Sequence, residues 1–300
     1  MRTLRTIAEL RAALSQPRRD GSRIGLVPTM GAFHEGHLSL MRRARQECDV
    51  VVVSLFVNPA QFNDGSDLDA YPRDEGRDVL LASEEGVDFL FAPSVHEVYP
   101  TGFATSVSVS GVTDVLEGEQ RGRGHFDGVV TVVTKLFNMV SPEVAYFGQK
   151  DAQQTVVIRR LVLDLDMQVQ IEVCPTVREP DGLAMSSRNA LLSTEERERA
   201  TALNRALQVA MGLVSAGESD AEAVVAAAIA ELDASDVSTE YFRIVNGETL
   251  APIKTIDGPA LAVVAARVGS TRLIDNQPLT TAGGVGIYAG AHAAGSNREA

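Results

Sequence analysis

The first half of the chain alternates short apolar runs with segments whose apolar residues recur every three or four positions. Residues 22–27 predict a strand. Asp49 then leads into Val50-Val51-Val52-Val53-Ser54-Leu55-Phe56-Val57, a run apolar on both faces, as a parallel strand covered by helices requires. Further strands are predicted over 87–91, 143–147 and 168–173, and helices over 36–47, 74–85, 126–140 and 151–164. The start, Met1-Arg2-Thr3-Leu4-Arg5, runs into an amphipathic pattern set by Ile7, Leu10 and Leu14. Strand–helix alternation of this kind predicts an α/β fold, a Rossmann-like doubly wound parallel sheet.

The pattern changes after residue 190. Thr194 and the Glu-rich residues up to Arg199 form a helix start, and Leu203, Leu207, Ala210 and Val214 continue at helical spacing. An Ala-rich helix follows over 220–233, then strands over 238–245, 260–268 and 270–275. This predicts a smaller C-terminal α+β domain. The expected division is 1–178 for the sheet domain, 179–282 for a lid domain and 283–300 for a loose Gly- and Ala-rich tail.

Charge narrows the functional classes. A formal net charge of −13 argues against nucleic acid or an acidic membrane as partner, since both select basic surfaces. No run approaches the ~18–20 apolar residues of a membrane span. The two cysteines, Cys48 and Cys174, make no disulfide framework and lack metal-ligand spacing; both read as buried free thiols in a reducing compartment. A nucleotide can still bind such a chain, provided that positive groups are gathered locally.

The richest segment is PTMGAFHEGHLSL, residues 28–40, which leaves a predicted strand and opens a helix. Gly31 and Gly36 permit close backbone approach, and a helix start offers unpaired N–H groups to a polyphosphate. His34 and His37, three residues apart, share one helical face. Such a pair also suits a metal, although no third ligand is visible, or simply a capped surface helix. His34-Glu35-Gly36-His37 resembles the HxGH signature of nucleotidylyltransferases, and the whole string resembles the pantothenate synthetase family.

Other segments resemble that family in order. In FVNPAQF, residues 56–62, Asn58 and Gln61 are uncharged groups suited to a hydroxy-acid. Residues 67–74, DLDAYPRD, match a family segment without a firm role; Asp78 downstream reads as a group near a Mg²⁺ ion or as a solvated helix face. In FGQKDAQQ, residues 147–154, Gly148 allows backbone approach and Lys150 supplies a compact charge for phosphate. Met185-Ser186-Ser187-Arg188 resembles the mobile KMSKS-type loop, two hydroxyls and a guanidinium forming a clamp for phosphate oxygens. One stretch departs from the family: LEGEQRGRGHFDGV, residues 116–129, carries one extra residue before His125, so that Arg121 and Arg123 both compete for the role of the family's arginine.

The resemblance implies ATP-dependent condensation of (R)-pantoate with β-alanine through a pantoyl adenylate, releasing AMP and pyrophosphate. It implies catalytic roles for His37, His34 and Lys150, with His37 as proton donor. ATP contacts fall to Met30, Gly31, His34, His37, Gly148, Gln149, Lys150, Asp151, Val177, Met185, Ser186, Ser187 and Arg188. Pantoate falls to Gln61 and Gln154, and β-alanine to Gln61. Mg²⁺ is expected on ATP and water rather than on a protein ligand set. A cytoplasmic homodimer is the family expectation. The competing readings are another nucleotidylyltransferase and a nucleotide-binding protein without catalysis.

Overall fold

Val51, Val52 and Val53 are fully buried, yet alternate residues of this run meet different cores. Val52 packs with Leu26, Ala145 and Phe147 on one side of the sheet. Val51 and Val53 pack with Val27, Val144 and Tyr146 on the other. Side chains alternate across a strand, so an unbroken apolar run is what a sheet covered on both faces requires. The computed structural model describes residues 1–62 and 65–279; the tail expected at 283–300 lies outside the described residues.

The chain forms two compact units, one of Met1–Val177 and a second beginning at Arg178. In the first, the elements run β1 (Arg2–Leu4), α1 (Ile7–Arg19), β2 (Ile24–Thr29), α2 (Glu35–Glu47), β3 (Val50–Leu55), α3 (Gly65–Ala70) and α4 (Glu75–Glu84). They continue with β4 (Phe89–Phe91), α5 (Val95–Val98), α6 (Glu117–Arg121), α7 (Arg123–Val140), β5 (Val144–Gly148), α8 (Ala152–Asp164) and β6 (Gln170–Cys174). The sheet order is β1-β4-β3-β2-β5-β6 and every recorded pairing is parallel. From β2 the chain builds outward through β3 and β4, then returns to the other side of β2 for β5 and β6. That reversal makes the carboxyl ends of β2 and β5 the topological switch point, where open α/β sheets place ligands.

The strands also part there. β2 pairs with β3 along its whole length, from Ile24–Val50 to Thr29–Leu55. It pairs with β5 only at Gly25–Val144 and Leu26–Ala145. Helix α7 lies against this sheet and inserts Phe126, Val129, Val130, Val133, Leu136, Phe137 and Val140 into the core. Each such side chain contributes about 1.5–3 kcal/mol on full burial.

The second unit holds α9 (Thr194–Ala200), α10 (Ala202–Ser215), α11 (Ala221–Asp233) and the antiparallel meander β7 (Ser238–Asn246), β8 (Ala260–Val268) and β9 (Thr271–Leu279). Leu203, Ala206, Leu207, Ala210 and Val214 of α10 share its core with Ala262, Val264 and Ala266 of β8. The short helices α3, α5 and α6 were not predicted, and α7 starts at Arg123 rather than 126; two strands also differ from the sequence expectation. Residues 2–4 form an edge strand beside β4 with only Leu4 buried, too short to leave a periodic signal. β9 runs to Leu279 rather than ending at 275, through Pro278, which an edge strand tolerates.

Candidate active site

The turn after β2 is built around a buried carboxylate. Gly31 has φ +91 and Ala32 φ 52, so two consecutive residues are left-handed, and only the first is a glycine. Such a conformation costs a non-glycine residue roughly 1–2 kcal/mol. Asp78 of α4, 1% exposed, holds it: Oδ2 accepts from Ala32 N–H at 2.8 Å and Oδ1 from Phe33 N–H at 2.7 Å. A Cβ on Gly31 would stand 2.9 Å from Oδ2. The neighbouring Arg77 donates from Nη1 to Phe33 O at 3.0 Å. Burial raises the proton affinity of Asp78, and the two backbone N–H donors oppose it. Asp78 is thus no solvated helix residue: it is buried, and each of its oxygens holds a backbone N–H of the turn.

The turn delivers His34 to the N-cap of α2, a position usually taken by Ser, Thr, Asp or Asn. His34 Nδ1 accepts from Gly36 N–H at 3.2 Å, and His37 Nδ1 accepts from His34 N–H at 3.3 Å. The ring centroids lie 4.2 Å apart. A backbone N–H can only donate, so Nδ1 of each ring carries the lone pair and the neutral ring carries its proton on Nε2. Burial, and then the adjacent His34, lower the pKa of His37 to about 3; Asp151 pulls it upward and Lys150 pushes it down. His37 is therefore a neutral N–H donor near pH 7, and the field of Lys150 and Asp151 reaches it from the turn after β5.

Beyond β3, Asn58 is 1% exposed, and all four of its hydrogen-bonding positions are taken. Its Nδ2 donates to Gln61 Oε1 at 3.0 Å and Gly128 O at 3.1 Å; its Oδ1 accepts from Ala60 N–H at 3.3 Å and Tyr99 OH at 2.8 Å. The sequence placed Asn58 among groups for a hydroxy-acid. Its full complement of protein partners instead makes it the pin of the 3₁₀ turn Pro59–Gln61. Gln61 Nε2 donates to Met30 Sδ at 3.2 Å, tying this turn to the one after β2. Helix α7 seals it from below: His125 Nδ1 donates to Gln61 O at 2.8 Å, and a Cβ on Gly128 would fall 2.2 Å from Ala60 O.

The stretch before His125 forms α6 and turns at Gly122, whose φ is +75. Arg121 Nε pairs with the buried Glu117 at 3.1 Å and, after burial itself, is the main influence lowering the pKa of His125. Arg123 is 71% exposed and pairs with Asp114 at 2.9 Å. Of the two arginines, Arg121 faces the His125 side.

After β5, Gly148 leads into the 3₁₀ turn Gln149–Asp151 and then α8. Lys150 is mostly buried, with Nζ 3.2 Å from Asp151 Oδ1. Gln154 sits half-buried on the first turn of α8. Its neighbour Gln153 is structural: Oε1 accepts from Glu117 N–H at 3.0 Å, while Nε2 donates to Val112 O and Val115 O, both at 2.8 Å. Met30–His37, Asn58–Gln61 and Gly148–Gln154 thus follow the carboxyl ends of three adjacent strands, β2, β3 and β5. Sequence reasoning missed Asp78, Tyr99, Gly128 and Gln153 as supports, since their partners are distant in the chain.

In the second unit, residues 178–184 form a small hairpin closed by the bridge Arg178–Ala184 and turning at Gly182, φ +92. Arg178 grips the 2%-exposed carboxylate of Asp275 from both nitrogens, at 2.6 and 3.1 Å. Arg197 of α9 holds Glu179 in the same bidentate way, at 3.1 and 2.6 Å, and keeps it ionised below its usual range. Asn189 Nδ2 donates to Glu179 Oε1 at 2.8 Å and to Ala184 O at 3.1 Å. Ser186 caps the 3₁₀ turn Ser187–Leu191. Met185–Arg188 is thereby framed on both sides by charged pairs of its own unit.

Both cysteines are buried and free; Cys48 Sγ lies 3.3 Å from Tyr146 OH. Among the described residues, no three His, Cys, Asp or Glu side chains are grouped to hold a metal ion, and no helix is long and apolar enough to cross a membrane.

The sequence matches the family described as pantoate-beta-alanine ligase over residues 2–278. It is 52% identical over 276 residues to a pantothenate synthetase of Cereibacter sphaeroides, covering 92% of this chain and 99% of that one. It is 51% identical over 277 residues to that of Acetivibrio thermocellus, covering 92% and 98%. The structure resembles the crystal structure of pantothenate synthetase from Thermus thermophilus, with a TM-score of 0.88 and 50% identity over 92% of this chain and 99% of that one. It also resembles pantoate-beta-alanine ligase from Francisella tularensis, solved with beta-gamma ATP and beta-alanine, with a TM-score of 0.77, 33% identity and coverage of 93% and 97%. The parallel sheet, the paired histidines at its switch point and a match running almost from end to end place the chain in the pantoate–β-alanine ligase family.

Proposed function

We propose that the chain condenses (R)-pantoate with β-alanine at the expense of ATP. A carboxylate is a poor electrophile, so it must be activated before an amine can attack it. A carboxylate oxygen of pantoate attacks the α-phosphorus of ATP, and the bond to the oxygen bridging the α- and β-phosphorus breaks to release pyrophosphate. The amine of β-alanine then attacks the acyl carbon of the pantoyl adenylate. AMP leaves with the bonding pair, and the amine proton passes to the surrounding groups.

The observation that carries this reading is the pair of Nδ1-capped imidazoles beside Lys150 at the switch point. Charge spreads over phosphate oxygens in the first step, and fixed donors already aimed there are worth more than mobile water. His34 and His37 supply neutral Nε2–H donors, and Lys150 supplies the charge. Gly31 and Gly148 let backbone approach the nucleotide, with Met30, Gln149 and Asp151 flanking it. Gln61, its amide already oriented by Asn58 and Met30, and Gln154 receive pantoate; Gln61 also receives β-alanine. Val177, Met185, Ser186, Ser187 and Arg188 add contacts to ATP. Mg²⁺ would be held by phosphate oxygens of ATP and by water rather than by a protein ligand set, and would offset charge on the phosphates. The working form is a cytoplasmic homodimer, which light scattering at micromolar concentration would check.

The test is pyrophosphate release from Mg-ATP and D-pantoate, with and without β-alanine, followed by mass analysis. Pantothenate and AMP in equal amounts support the reading. Pyrophosphate release with a different acid only would move the chain to another substrate, and no release with any acid would leave a nucleotide-binding protein.

A further inference from the structure

Two unfavourable features meet at one peptide. Ala32 holds a left-handed conformation that glycine would adopt without strain. Asp78 keeps a carboxylate at 1% exposure, which costs desolvation that a neutral turn would avoid. The carboxylate takes the N–H groups of Ala32 and Phe33, and Arg77, the preceding residue, takes the carbonyl of Phe33. Both donor and acceptor sides of the peptides leading into His34 are therefore gripped from the first turn of α4, itself capped by Asp74. The next N–H along, that of His34, sets the acceptor role of His37 Nδ1. Strain concentrated beside a reacting group points to a role in setting its geometry.

We propose that Arg77 and Asp78 are positioning residues for the adenylation step: they lock the Ala32–Phe33 peptides so that the His34 N–H engages His37 Nδ1 and His37 presents Nε2–H to phosphate. Neither residue touches the substrate; both act through the histidine pair. The inference rests on the function proposed above and deepens it by naming what fixes the tautomer. An asparagine at position 78 keeps the shape but replaces one acceptor by an N–H₂ group that faces a backbone N–H. A methionine at position 77, where the residue is exposed, removes the bond to Phe33 O and the positive charge acting on Asp78.

The experiment compares the full chain with D78N and R77M by two readouts. Long-range ¹⁵N–¹H spectra of the histidine rings, assigned with H34N and H37N, report the tautomers without any substrate. Pyrophosphate release gives kcat and KM for ATP. The expected result is a single Nε2–H tautomer of His37 in the parent chain and a mixed one in D78N. D78N should release pyrophosphate at least about tenfold more slowly, with KM for ATP changed less than about threefold, and R77M should lose roughly three- to tenfold in the same rate. Should D78N not fold, R77M decides by the same two readouts. Unchanged tautomers in the folded variants overturn the proposal. So does a more than roughly tenfold shift in the Mg²⁺ concentration for half-maximal rate with unchanged tautomers, which would make Asp78 a metal-site residue. A parent chain that releases no pyrophosphate would sink the proposed function, while the ring spectra would still decide whether Arg77 and Asp78 set the tautomer.

Discussion

His37 accepts a hydrogen bond on Nδ1 from the backbone N–H of His34, and His34 in turn caps the same helix through its own Nδ1. The pair forms a reciprocal cap in which both side-chain acceptors are imidazoles. A ring that accepts at Nδ1 and donates at Nε2 needs no positive charge to bind phosphate. The cap therefore favours the neutral ring over the imidazolium in the free protein.

Acid should weaken the fold through this ring. The pKa of His37 falls from 6.5 to about 3 on folding, so between these values the unfolded chain binds the additional proton. Its contribution is complete above pH 6.5 and is lost as pH falls toward 3, by up to about 1.4 kcal/mol per pH unit. Urea unfolding followed from about pH 7 to about pH 4 should show this loss in the parent chain. H37N should lose less over the same window, and equal slopes would show that His37 is not held neutral.

Lys150 is the cation that the electrostatic argument requires. Lys150→Ala should lower kcat/KM for ATP by about 100-fold, equivalent to about 2.7 kcal/mol, with thermal stability little changed. Initial rates of pyrophosphate release measure this. A loss within about threefold would remove Lys150 from the phosphate site.

Gly128 lets α7 touch the Pro59–Gln61 turn. Gly128→Ala would bring a methyl 2.2 Å from Ala60 O, against backbone that cannot swing aside. Overpacking of this kind costs about 1–3 kcal/mol. Because the turn carries Gln61, KM for pantoate should rise more than KM for ATP. Urea unfolding and the two KM values check both parts.

The frame of the Met185–Arg188 segment depends on Asp275. Asp275→Asn should destabilise the second unit by about 2 kcal/mol, less than a wholly buried pair would lose, because Arg178 still reaches water. Limited proteolysis should then cut within residues 178–192 faster than in the parent chain.

The sheet was legible because parallel strands covered on both faces are written as continuous apolar runs, and Val50–Leu55 is such a run. The histidine turn was legible because its glycines, its histidines and the strand before it lie within one short segment. Asp78 and Asn58 had protein partners that were hidden from the sequence for one shared reason. Each is polar in a polar-looking segment, and its partners come from residues 45 and 70 positions away, Phe33 and Gly128. A sequence shows which groups can form hydrogen bonds, but tertiary contact decides whether any remain for a ligand. Edge strand β1 was invisible because one buried leucine in three residues has no period.

The parting of β2 from β5 after Leu26 and Ala145 separates two properties that a binding site usually combines. Room for a ligand is created by strand order, a feature shared by the whole sheet and supported by all its core residues. The residues proposed above to contact pantoate and β-alanine lie at the strand ends, in short turns that carry little of that core. Changes in the turns can therefore alter what is bound while leaving the cleft standing, and damage to the sheet would abolish the cleft whatever the turns contain. Substrate range and foldability are, in this architecture, set by almost separate groups of residues.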